Sequence, residues 1–143
     1  LFPYTTLFRS VIIPDYALRG EGEMFFRPMV MNNLYNQVRS YMWIYTSVEN
    51  RKYGFKDGCS RLVELDETIQ LPAGYKLVSA VKDETMQGVG ADFEGSLVQK
   101  GNKVLLHNRL ALKKRVYEAS DWESFRNAVN AHKAYGEYLV IKK

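Results

Sequence analysis

Three side chains of this 143-residue chain have the chemistry of an acyl-transfer or hydrolytic centre: Cys59, His107 and Asp121. They occur in the order nucleophile, base, orienter. Such a centre needs a thiolate kept by a neighbouring imidazole, often helped by a helix N-terminus. The contexts read against that use. Cys59 is followed by a strand-like run from Arg61, so no helix dipole reaches it. His107 falls on the outward side of another strand with Arg109 beside it. Asp121 sits in the first turn of a helix, where a carboxylate is expected for capping and dipole reasons alone. No catalytic residue is expected among them, and an enzyme using Cys59 is the least favoured reading.

Binding chemistry has a better candidate in Tyr41, Trp43 and Tyr45. On an exposed strand face these alternating rings would form a stacking platform for a sugar or a partner. Packing in the core is the competing use, because large aromatics usually supply burial. A metal site is not expected, since two histidines and one cysteine stand at no ligand spacing. Gly88-Val89-Gly90 lacks the further glycine and the helix of a phosphate loop, so no cofactor is expected either. Asp66 and Glu67 are adjacent on a strand and point to opposite faces. The densest basic run, Lys113-Lys114-Arg115, reads as a solvated face, and a net charge of +4 is too mild for a nucleic-acid partner.

The elements that would position these residues are mostly strands. From Arg61 to Leu71, Val63, Leu65, Ile69 and Leu71 share one face while Glu64, Asp66, Thr68 and Gln70 share the other. That is strand alternation, broken inward only by Glu67. Pro72-Ala73-Gly74 then turns the chain into a second strand over Tyr75 to Val81. Later hydrophobic segments look built to pair with this unit. Ala91 to Gln99 forms the next strand, and Lys100-Gly101-Asn102-Lys103 is a hairpin signal. Beyond it, Val104, Leu106, Leu110 and Leu112 point one way, with Leu105, His107, Arg109 and Ala111 opposite. Val11 to Pro14, Met24 to Met31 and Arg51 to Phe55 are shorter candidate strands. Residues 32–46 fit a helix passing into a strand near Tyr41. The one clear helix starts at a capping box, Ser120 to Glu123, carries Trp122, Phe125, Ala128, Val129 and His132 on its apolar side, and ends at Gly136. Tyr138 to Ile141 is a closing strand. The expected fold is mainly β, an antiparallel β-sandwich of immunoglobulin-like type with one C-terminal helix and a closing strand.

Composition agrees with one folded domain. Hydrophobic residues make up 46% and charged residues 25%, ordinary globular usage. A single cysteine excludes an internal disulfide. No stretch approaches the roughly 18 apolar residues of a membrane helix. Leu1 to Ser10 resembles a translated sequencing adapter, so the natural domain is expected over residues 11–143, as the C-terminal piece of a longer protein.

Ile69-Gln70-Leu71-Pro72-Ala73-Gly74-Tyr75-Lys76 resembles the C-terminal domain of bacterial transglutaminase-like exported proteins. An ordered set carries the resemblance. Glu49 to Tyr53 is similar to the family's Arg-containing strand entry; the Leu-Pro-x-Gly-Tyr turn, the Lys100-Gly101-Asn102 hairpin and a strand ending Leu110 to Lys114 follow. Last come Tyr117, the helix with Trp122 and Phe125, and a terminal Val140 to Lys143. The resemblance implies an accessory domain of unknown function attached to a transglutaminase-like core in the same polypeptide. It places the catalytic cysteine, histidine and aspartate in that core and the protein in the periplasm or at the cell surface. A glycan or an envelope protein is the alternative partner.

Overall fold

The computed structural model describes residues 13–31, 45–78 and 83–143. Among the described residues, ten strands, a 3-10 turn and one helix follow in order. They are β1 (Leu18–Arg19), β2 (Glu23–Phe26), β3 (Phe55–Lys56), β4 (Arg61–Gln70), β5 (Lys76–Leu77), β6 (Glu84–Gln87), β7 (Ala91–Lys100), β8 (Lys103–Leu112) and β9 (Val116–Tyr117). The 3-10 turn (Ala119–Asp121), α1 (Trp122–Ala134) and β10 (Leu139–Lys142) complete the chain. Every strand pair among them is antiparallel. The architecture is mainly β, with a helix near the C-terminal end and a closing strand after it, and the described residues form no closed barrel.

The large sheet has the order β4-β8-β7-β6. Its three long strands arise where the sequence alternates most strictly, and burial along β4 and β8 follows the same period of two. β7 and β8 meet through the Lys100–Lys103 hairpin, in which Gly101 takes φ 61°, a conformation that side chains with a Cβ avoid. The inward face carries Phe93 and Leu97 from β7 and Val104, Leu106, Leu110 and Leu112 from β8. These join Trp122, Phe125, Ala128 and Val129 of α1 in one core, which Phe26, Leu139 and Ile141 of the small sheet complete. The small sheet runs β1-β2-β10-β5, and β3 and β9 form a two-stranded sheet among the described residues.

Several local expectations change. The Leu71 to Tyr75 turn is present, with Tyr75 N–H donating to the Pro72 carbonyl at 3.2 Å and Gly74 at φ 83°. It does not fold β5 back on β4. It carries the chain out of the large sheet into the small one, where β5 pairs with β10. The strand expected over Arg51 to Phe55 begins only at Phe55, and the one expected from Tyr75 is confined to Lys76–Leu77, residues 79–82 lying outside the described residues. The expected helix start at Ser120 shifts as well. Asp121 accepts the Glu118 N–H at 2.9 Å, so the reciprocal cap spans Glu118 to Asp121 and Ser120 takes no part. Gly136 follows the helix without a positive φ, its N–H bonding the Lys133 carbonyl at 2.9 Å; crowding replaces the left-handed cap, since a Cβ there would stand 3.3 Å from that carbonyl.

Candidate functional site

The outward face of the large sheet carries a set of polar side chains, and strand register decides which of them meet. Across β4, β8 and β7, Asp66 stands opposite His107 and His107 opposite Ser96. The adjoining row is Glu64, Arg109 and Glu94. Residues directly opposite on antiparallel strands bring their Cβ atoms within about 5 Å, near enough for side chains to bond. His107 Nδ1 lies 2.8 Å from Asp66 Oδ1, and ligand atoms of Glu64, Asp66 and His107 all fall within 4.8 Å of one another. Beside them is an open cavity of about 430 Å³ lined by Asp66, Thr68, Ser96, Val98, Lys100 and His107.

The cysteine-centred constellation is not assembled. His107 and Asp66 are in register, whereas Arg61 is opposite Leu112 at the far end of the same pairing. Five residues of strand rise about 17 Å, and Cys59 lies beyond Arg61, well outside hydrogen-bond reach of His107. Cys59 is exposed. Asp121 is engaged elsewhere: both its carboxylate oxygens accept the Lys114 ammonium at 2.8 Å. That hydrogen bond, with the Glu118 amide, holds its carboxyl below the usual aspartate value.

The basic run is correspondingly less free than a solvated face. Lys113 Nζ contacts Asp92 Oδ1 at 2.7 Å and the Gly88 carbonyl at 2.8 Å, and this lysine holds the Asp92 carboxyl below its ordinary value. Of the aromatic platform, Tyr41 and Trp43 lie outside the described residues, and Tyr45 is 70% exposed. The residues after Tyr45 are bound along α1. Trp122 Nε1–H donates to the Val48 carbonyl at 3.0 Å, Arg126 Nε–H to the Thr46 carbonyl at 2.9 Å, and the Arg51 guanidinium lies 4.2 Å over the Trp122 ring.

Asp66 and Glu67 do face opposite ways. Asp66 meets His107 outside, while the Glu67 carboxylate accepts the backbone N–H groups of Met29 and Val30, both at 3.1 Å. That capture explains the inward charge in the middle of β4; Arg61, at the start of the same face, is paired with Asp57. Two further arrangements escaped the sequence. Asn108 is fully buried on the inward face of β8, its Oδ1 2.5 Å from His132 Nδ1. The Glu64, Asp66 and His107 grouping spans more than forty residues of chain; its signal is the pairing of two alternating segments, which no local spacing displays.

A family model described as a domain of unknown function with a solved structure, DUF3858, matches residues 22–140. No curated protein sequence matches the chain. In fold it is similar to a crystal structure described as a "putative protease" from Parabacteroides distasonis ATCC 8503, with a TM-score of 0.66 at 12% identity. The match covers 86% of this chain and 24% of that one, so the chain spans about a quarter of that protein's length.

Proposed function

The chain belongs to the DUF3858 family, domains of unknown function, and we propose that it is a non-catalytic accessory domain packing on, or positioning, a transglutaminase-like core of the same polypeptide. One observation carries this reading: nearly the whole fold recurs as a quarter of a much longer protein. A unit of that share is suited to support a larger body. The separation of Cys59, His107 and Asp121 supports the same view, as do the ordered Leu71 to Tyr75, Lys100 to Asn102 and Trp122 to Phe125 similarities. The parent protein would act in the periplasm or at the cell surface. Recovering the full coding sequence tests this directly. An export signal and a Cys/His/Asp core are expected upstream of this domain, and deleting the domain should lower the core's unfolding midpoint or its activity. A coding sequence without such a core overturns the proposal.

The exposure of Tyr45 favours a second reading, a module binding glycans or envelope proteins. Retention on insoluble peptidoglycan, weakened by Tyr45→Ala, would support it; equal retention of both forms would discard it.

A further inference from the structure

We propose that Glu64, Asp66 and His107 form a surface binding site for a divalent transition-metal cation of the zinc type. The donors come from three positions on two neighbouring strands. Glu64 and Asp66 are two residues apart on β4 and therefore project from the same face, and His107 projects beside Asp66 from the neighbouring β8. Their ligand atoms already lie within 4.8 Å of one another, on two exposed carboxylates and a half-buried imidazole attached to a paired ladder. Donors bound to one zinc ion at about 2.0–2.2 Å stand closer together than that, so small side-chain rotations complete the set.

The chemistry of the donors selects the cation. One imidazole nitrogen and two carboxylate oxygens suit a borderline ion, whereas calcium and magnesium prefer oxygen-only shells. The two carboxylates balance a divalent charge. Arg109 stands opposite Glu64 but also opposite Glu94, so it keeps an acidic neighbour when Glu64 turns toward the ion. The ion takes the place of the proton between His107 Nδ1 and Asp66 Oδ1, and that proton leaves to solvent. Three protein ligands leave a fourth position open, and the 430 Å³ cavity next to Asp66 and His107 gives an outside ligand room to occupy it. A cation there would clip β4 to β8 and offer a second molecule a point of attachment.

The test is calorimetric titration of chelator-treated protein with zinc chloride, in the natural sequence and in Cys59→Ser, which removes the exposed thiol. One saturable equivalent is expected in both. His107→Ala should weaken it by about tenfold or more, with an unchanged circular dichroism spectrum in the absence of metal. Asp66→Asn, close in size, makes the same comparison should His107→Ala fold poorly. Absence of saturable binding below about 1 mM overturns the site. So does binding lost in Cys59→Ser, and so does any loss smaller than tenfold in the folded His107 or Asp66 variant.

Discussion

His132 is 8% exposed, and burial lowers its pKa to about 4 from an ordinary value of 6.5. The folded chain therefore holds the neutral ring, Nδ1–H toward Asn108 Oδ1, while the Asn108 amide reaches the His132 carbonyl at 3.5 Å. The unfolded chain binds the extra proton first as pH falls. Stability is accordingly complete above pH 6.5, declines from there toward pH 4, and loses about 3 kcal/mol across that window. Asp92 and Asp121 add a separate decline below their ordinary value of 3.8, where their lowered carboxyls take up protons. Urea titrations at pH 7.5 and 4.5 should show the first step, and His132→Gln should flatten it. Nothing local marked His132 as different from the other stripe residues of its helix, because its partner lies on β8. Gly95 makes a comparable point. A Cβ there would meet the Phe93 and Tyr135 rings at 2.6 Å, so Gly95→Ala should cost about 1–3 kcal/mol in the same unfolding assay.

Elements with long periods were legible, and those held only by tertiary contacts were not. β4, β7 and β8 each run ten residues with alternating burial, and α1 buries Trp122, Phe125, Val129 and His132 as its spacing required. β3, β5 and β9 are two residues long, too short for any period, and their sheets are set by where the core pulls them. The helix start misled for a different reason: Ser120 and Asp121 are adjacent and both can cap. The contacts separate them. Asp121→Ala removes the acceptor for Glu118 N–H and the partner of Lys114, and should lower the thermal midpoint clearly, whereas Ser120→Ala should leave it nearly unchanged. Equal midpoints in the two variants would reverse that assignment.

For the whole molecule, strand alternation, together with the helical stripe after Ser120, was enough to foretell a mainly β fold with its late helix and closing strand. It could not foretell that the Leu71 to Tyr75 turn joins two sheets, because a turn's residues do not name the next strand's partner. The same limit hid the Glu64, Asp66 and His107 grouping, which exists only once β4 and β8 are in register. Among the described residues, β4 also stands at the end of the large sheet's order. A ten-residue border strand is a template on which a second copy could add its own backbone. Glu67, turned inward and holding the Met29 and Val30 amides, disfavours that addition, because an inward-pointing charge on a border strand works against edge-to-edge pairing. Glu67→Val should therefore leave dilute protein soluble yet promote concentration-dependent, thioflavin-positive assembly, readable by light scattering. In this sense one glutamate sets how crowded a compartment the domain can occupy before its copies begin to stick.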